Sequence, residues 1–429
     1  MTQAKSPWII YLFIFAVFYF ATPYNLQWSV EMVPTPSETE RLLDTSKGDV
    51  YRQASIIVLG IFALIFLTYD KSKKIHFNSA LSFSIIFFLL WASLSIIWAD
   101  DQMMTFKRLV IFNILWLSAF SIAKRLTYRE IMLYVIFSSA LTLLISLGAE
   151  IMLKTFQPFS AEYRFSGVMH PNGQGLNCAM LLISSICYFK LDSKFPQFRY
   201  LLVAIVASFF LILTKSRTAL LSATVAITLF LFLTSLPYRK KILVSFVTFI
   251  MPIFCLALYF AMANDIIDID KSVFLLGRNT EVDTLTGRTP VWLELYDYVV
   301  KRPLLGYGYD GFWTQRRTSD IMASQGSWVA SDHSSFINII LGLGIIGLAT
   351  FVIMIILALI KSIRHYKQSR TSAFAFTILI MITISMLPET ILFQPYPFSF
   401  LVMAILAKLA FVDGKAQEYE LNVKQASYD

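Results

Sequence analysis

Four polar strings interrupt an otherwise strongly apolar chain, and they contain the side chains able to handle an anion and a proton. Lys215-Ser216-Arg217-Thr218 is a turn of only about four residues between two apolar runs, so both of its cations are held at a helix end. A helix N-terminus adds backbone donors and positive dipole, and the planar fork of arginine suits phosphate oxygens. The plainer reading of Arg217 is a snorkelling arginine. Arg288 follows Gly287 and precedes Thr289-Pro290, a sequence that can open a helix because proline is favoured in the first turn. Arg164 lies in Tyr163-Arg164-Phe165-Ser166-Gly167, just before His170-Pro171-Asn172. For Arg288 and Arg164 the plainer reading is a solvated loop charge. His333 sits in Ser331-Asp332-His333-Ser334-Ser335, at the start of an apolar run, with Ser331 or Asp332 as N-cap. A helix N-terminus favours neutral imidazole, which can accept a proton, and Asp332 partly counters that effect. The plainer reading is a polar cap. His170 is the rival histidine, with a turn-shaping role beside Pro171 as its plainer reading.

Other chemistries find no support. The chain has no phosphate-binding glycine loop of the Walker type, no nucleophile elbow, no zinc-protease helix motif and no paired-carboxylate signature. Asp265, Asp268 and Asp270 have a spacing that could hold a divalent ion, but a solvated loop is the stronger reading. Cys178, Cys187 and Cys255 lie inside apolar runs, odd in number and without metal-ligand spacing. No metal site and no cofactor is expected.

The elements that must position these residues are membrane spans. The chain is 57% hydrophobic and only 15% charged, against about 25% charged in a soluble globular chain. Runs long enough to span, at about 20 residues each, fall near 8–24, 53–69, 78–98, 109–123, 131–149, 173–189, 200–214, 218–236, 242–263, 334–360, 372–388 and 394–412. The first is expected to be a retained span rather than a signal peptide, since no small-residue cleavage site follows it. Lys408, near one end of the last span, is expected to snorkel to the headgroups. The expected fold is an all-α polytopic membrane protein of about twelve helices, residues 1–429 forming one integral membrane domain. A net charge of +9 would suggest nucleic acid in a soluble protein. Here the cations gather in short loops, including 71–74, 124–129, 239–241 and 361–370, which reads as the positive-inside rule. Nucleic acid is therefore excluded, and both termini are expected in the cytoplasm. The outer face then carries the turn at 215–217 and the segment 264–332, whose length of about 70 residues far exceeds an ordinary connection of ~15 or fewer. Its aromatic content and helical spacing (Val291, Leu295, Tyr298, Val299) predict short helices on the outer membrane face. Residues 413–429 are a polar cytoplasmic tail.

Taken in order, T-G-R-T-P-V-W at 286–292, P-L-L-G-Y-G at 303–308, and His333 followed by L-G-L-G-I-I-G at 341–347 resemble the bacterial O-antigen ligase/polymerase superfamily, most of all its exopolysaccharide polymerases. Ser334 departs from the asparagine common after that histidine. The resemblance implies a multi-spanning, class C inverting glycosyltransferase of the bacterial inner membrane, metal-independent, with a site facing the periplasm. It implies a donor glycan on undecaprenyl diphosphate, a glycolipid acceptor, and membrane lipids and assembly proteins such as a chain-length regulator as partners. By position, Arg217 and Arg288 would grip the diphosphate, with Arg164 and Lys215 assisting. His333 would serve the acceptor hydroxyl, and His170, Asn172, Trp292 and Asp332 would shape the acceptor side. A polymerase is favoured over the ligase that transfers a finished glycan to lipid A–core. A lipid-linked sugar transporter is the reading of another class; it is disfavoured because the polar groups gather at one face instead of at mid-span.

Overall fold

The computed structural model describes residues 8–21, 50–69, 76–77, 79–160, 163–191, 198–235, 288–325, 332–366, 369–392 and 395–412. All regular structure among them is helical. In chain order the helices are α1 (Trp8–Ala21), α2 (Val50–Tyr69), α3 (Ala80–Leu94), α4 (Gln102–Arg125), α5 (Tyr128–Met152), α6 (Pro171–Leu191), α7 (Phe198–Leu213), α8 (Arg217–Ser235), α9 (Arg288–Lys301), α10 (Gln315–Gln325), α11 (Ser335–Tyr366), α12 (Ala373–Ser385) and α13 (Pro397–Ala407).

Six helices among the described residues, α2, α3 with its 3₁₀ extension, α4, α5, α8 and α11, are long and apolar enough to cross a membrane, and α1, α7, α12 and α13 are shorter apolar helices. The expected count of about twelve spans is therefore not reached on length and composition alone. The expected ninth span, 242–263, lies outside the described residues. The fourth runs longer than its apolar core suggested: Asp101 caps it by accepting the Met104 N–H at 2.9 Å, so the helix begins at Gln102 rather than 109.

Burial is arranged for a lipid solvent. Helices α6, α12 and α13 form the buried centre. Outer helices expose large apolar side chains, such as Ile57 on α2, Phe83 on α3 and Ile205 on α7. Burying such groups against lipid tails costs nothing that water would charge, so association rests on packing and on internal hydrogen bonds. Lys408 shows the second kind. It does not snorkel: it is buried, its Nζ donates to the carbonyls of Ala123 at 3.2 Å and Leu126 at 2.8 Å, and it lies over the Tyr128 ring. The reason is that the end of α4 leaves carbonyls without helical partners, and Lys408, just after α13, lies within hydrogen-bonding distance of them.

The segment after α9 enters the bundle instead of lying only on its face. Helix α11 is broken at Gly344 (φ 67°, ψ −170°). Into the break fits the string Pro303-Leu304-Leu305-Gly306-Tyr307: the Tyr307 N–H donates to the Leu341 carbonyl at 2.8 Å and the Ile345 N–H to the Pro303 carbonyl at 2.8 Å. A Cβ on Gly344 would lie 2.1 Å from the Leu304 carbonyl oxygen, so only glycine allows this contact. The two glycine-rich strings of the sequence are thus two halves of one backbone joint. Around it Val291, Leu295, Tyr307, Phe312, Ile321 and Leu341 form a second, smaller apolar core.

Candidate functional site

The polar strings converge at one end of the bundle, where α5, α7 and α12 end and α6, α8, α9 and α11 begin. Their meeting point is a residue that the sequence reasoning missed, Glu389. It lies just after α12, and its position is set by α11: the Ser335 Oγ–H donates to the Glu389 carbonyl at 2.9 Å, and the Ile391 N–H donates back to Ser335 Oγ at 3.0 Å. Its side-chain Oε1 accepts two donors, Arg288 Nη2 at 2.8 Å and Asn172 Nδ2 at 2.7 Å. Asn172 Oδ1 in turn accepts Arg164 Nη2 at 3.1 Å, and Arg164 Nε donates to the Thr214 carbonyl at 3.1 Å. One unbroken chain of polar contacts therefore joins the start of α9, the loop after α12, the start of α6, the loop before it and the hairpin between α7 and α8.

That hairpin carries Lys215 and Arg217, both half-buried. Lys215 adopts φ 49° to close α7, and Arg217 is the first residue of α8. The hairpin can approach α6 because residue 175 is glycine; a Cβ there would come within 2.7 Å of Ser216 Cβ. The backbone thus places both cations beside the Arg164–Asn172 link.

His333 is held by its neighbour. Asp332 is almost fully buried. Its carboxylate accepts the Ser334 N–H at 3.3 Å, Asn338 Nδ2 at 2.8 Å, Trp313 Nε1 at 3.4 Å and the Thr390 hydroxyl, and its carbonyl accepts Trp292 Nε1 at 2.8 Å. Asp332 is therefore not the N-cap of α11, as the sequence suggested. The helix opens at Ser335 with the Ser334 carbonyl accepting the Asn338 N–H at 2.9 Å, and Ser331 lies outside the described residues. Asp332 ties α9, α11 and the loop after α12 together instead. Burial raises its pKa, opposed by those hydrogen bonds. His333 itself sits at φ 51°, a left-handed conformation that non-glycine residues adopt only where surrounding contacts hold them. Its pKa is lowered, first by burial and next by the positive charge of Arg288, while Glu389 and Asp332 raise it in part. Imidazole, Arg288 and Glu389 therefore lie within mutual electrostatic reach.

A second missed carboxylate supports the loop that carries Arg164. Glu150, buried at the end of α5, accepts the Ser166 N–H at 3.0 Å, the Gly167 N–H at 2.7 Å and the Tyr163 hydroxyl. His170 is exposed, and its Nδ1 accepts the Asn172 N–H at 3.3 Å, the turn-shaping role open to it from sequence. For both glutamates the available signal was isolation. Glu389 is the sole acid between residues 371 and 412, and an ionisable residue between apolar spans is a functional candidate by default. The acidic run Asp265–Asp270 and Cys255 lie outside the described residues.

Residues 202–352 match the O-antigen ligase family model. Over that stretch the chain is similar to O-antigen ligases. The match supports the O-antigen ligase/polymerase superfamily, whose members are glycosyltransferase-like enzymes of the bacterial membrane. No curated protein matches the chain. The matched stretch covers about a third of the sequence and contains Lys215, Arg217, Arg288, Trp292, Asp332 and His333. The partners that complete the cluster, Arg164, Asn172 and Glu389, come from outside it.

Proposed function

We propose that the chain is a polysaccharide polymerase: an inverting glycosyltransferase that moves a glycan from undecaprenyl diphosphate to a sugar hydroxyl of another lipid-linked repeat unit. In this reading it resides in the bacterial inner membrane with both termini cytoplasmic, and the end bearing Glu389 faces the periplasm. One observation carries the reading: Arg288 and Arg164, distant in sequence, are joined through Glu389 and Asn172 beside His333 at a single end of the bundle.

Arg288 and Arg217 grip the diphosphate, with Arg164 and Lys215 adding positive charge. A diphosphate oxygen competes with Glu389 for Arg288 on equal chemical terms, since both are anionic acceptors of a guanidinium fork. The acceptor oxygen bonds to the anomeric carbon on the face opposite the leaving group, the bond from that carbon to the phosphate oxygen breaks, and the hydroxyl proton passes to His333. Lipid diphosphate needs no protonation to leave. The residues must instead stabilise the charge that grows on it and hold both glycans in line. An imidazole with a lowered pKa is neutral near pH 7, the state required of a base. Arginines supply the positive charge, so no metal ion is assigned a step.

The second reading, transfer of a finished glycan to lipid A–core, is favoured by the description of the matched family as O-antigen ligase. Glycan length in a strain lacking the chain separates the two. The polymerase reading expects loss of long chains with single repeat units still attached to their acceptor; loss of all attachment to lipid A–core replaces it with the ligase. Purified protein in liposomes, given donor and acceptor glycolipids without an ion gradient, tests for chemistry against transport. Absence of any new glycosidic product there removes both enzyme readings.

A further inference from the structure

At the same end of the bundle, away from Glu389, lies an open cleft of about 1140 Å³. The loop entering α4 and the first turns of α10 form its walls, and Tyr298 on α9 lines it between them. Tyr298 is ten residues beyond Arg288 on one continuous helix, hence about 15 Å away at 1.5 Å rise per residue. The cleft is larger than the roughly 300–1,000 Å³ usual for a small ligand.

Its frame is rigid. Asp100 binds Arg302 at 2.8 Å and also Arg317, and Arg317 lies 4.3 Å over the Tyr307 ring while donating to the Phe312 carbonyl at 2.8 Å. Three separate stretches of chain are clamped by that one carboxylate. Inside the frame, Gln102, Gln315, Arg316, Ser319 and Asp320 are exposed to the cleft. The acids (Asp100, Asp101, Asp320) and arginines (Arg316, Arg317) are mixed, so the lining shows no bias toward an anion. Ala99 is its one aliphatic side chain, which leaves nothing for a lipid tail to lie against. Carboxylate, amide and guanidinium groups offer paired acceptors and donors at fixed spacing, the pattern that adjacent sugar hydroxyls can satisfy.

We propose that this cleft holds several hydroxyl-rich sugar units of a substrate glycan whose reacting end lies beside His333 and Arg288. The inference rests on the glycosyltransferase reading above and adds to it a subsite for sugars remote from the bond being made.

The test uses the full-length protein in detergent. The probes are oligosaccharides of one and of three repeat units, freed by mild acid from the lipid-linked glycans of the producing cells. Their binding is titrated against the native protein and the double variant Gln315→Ala, Asp320→Asn, both positions being exposed and outside the Asp100 clamp. The three-unit oligosaccharide is expected to bind the variant about tenfold more weakly, with little change for the single unit. In the transfer assay kcat is expected to hold while KM rises about tenfold for one substrate; a rise for the acceptor assigns the cleft to the acceptor glycan, and a rise for the donor assigns it to the donor glycan. Equal three-unit affinity in both proteins, or no three-unit binding to the native one, overturns the proposal. The two readings fail separately. Normal transfer with unaltered binding removes the cleft and leaves the enzyme, whereas selective loss of three-unit binding in a protein that transfers nothing removes the enzyme and leaves a glycan-binding cleft.

Discussion

Two groups of arginines share one end of this bundle, and one member of each is comparably hidden: the side chain of Arg317 is 13% exposed and that of Arg288 is 16% exposed. Each group also works against a carboxylate that takes more than one donor. What differs is the setting. Arg302 and Arg317 lie over the Tyr307 ring at 4.8 and 4.3 Å and hold Asp100 between them, so their charge and their flat faces are both used in fastening loops. Arg288 and Arg164 reach polar groups only one bond removed from each other, through Glu389 and Asn172, next to an imidazole in a left-handed backbone position. An arginine near a membrane surface therefore says little by its presence. Its partners separate the arginines that fasten loops from those that the proposed function assigns to the diphosphate.

The widest separation between the groups is expected from arginine-to-lysine exchange. Arg288→Lys keeps the charge but loses the planar fork. Removing one preorganised donor from a site of developing charge costs on the order of 10²–10³-fold in turnover, so glycan transfer is expected to fall at least 100-fold while the protein still inserts. Arg317→Lys is expected to leave kcat within about twofold. Radiolabelled transfer with matched membrane levels measures both. Similar losses in the two variants would erase the distinction between fastening and substrate-facing arginines.

The next effect is smaller and more specific. Glu389→Gln keeps an oxygen for Arg288 but removes the negative charge, and a charge-assisted bond is roughly twice as strong as a neutral one. Turnover is expected to drop about tenfold. The pH profile carries more information. Burial and Arg288 already hold the His333 pKa below its usual value, and Glu389 pushes the other way. A base works only when unprotonated, so activity falls on the acid side as pH drops through its pKa. Deleting the Glu389 charge lowers that pKa further, and the acid limb of kcat/KM moves to lower pH. Arg288→Lys, which retains a cation, leaves the limb closer to its native place. An acid limb that stays fixed in Glu389→Gln would show that His333 is not the titrating base.

The contrast between the two groups also marks what could be read from residues alone. The placement of Arg288 and His333 at helix openings was legible from the residues beside them, whereas their chemical roles came only as what the family resemblance implies. The break at Gly344 was not. A glycine in L-G-L-G is tolerated within a helix, and nothing local reveals that the Leu304 carbonyl occupies the space of its missing side chain. Glu389 was hidden for a related reason: its role comes from three donors and anchors contributed by α6, α9 and α11, none near it in sequence. Asp332 was misplaced as a cap because an acid before a helix usually is one, whereas burial turned it toward Asn338, Thr390 and Trp313. Lys408 followed the same logic. Lipid headgroups are the default for a cation at a span end, and only tertiary packing offers it the carbonyls of Ala123 and Leu126.

The smallest predicted effect tests the fastening group directly. Asp100→Asn removes the charge that Arg302 and Arg317 share while keeping an oxygen in place. The side chains are 32% and 41% exposed at the Arg302 pair, so water and salt screen much of the interaction, and exposed pairs of this kind contribute about 0.2–1 kcal/mol. Arg317 is more hidden, which places the expected loss toward the upper part of that range. A melting temperature lower by about 1 °C is expected, since the unfolding entropy grows with chain length, with kcat unchanged because neither His333 nor Arg288 moves. The shift should shrink in high salt, as screening already weakens the native pairs. A loss of turnover comparable to that of Glu389→Gln, at unchanged melting temperature, would mean that the Asp100 clamp acts on the reacting groups, and the two ends of α9 would have to be treated as one site.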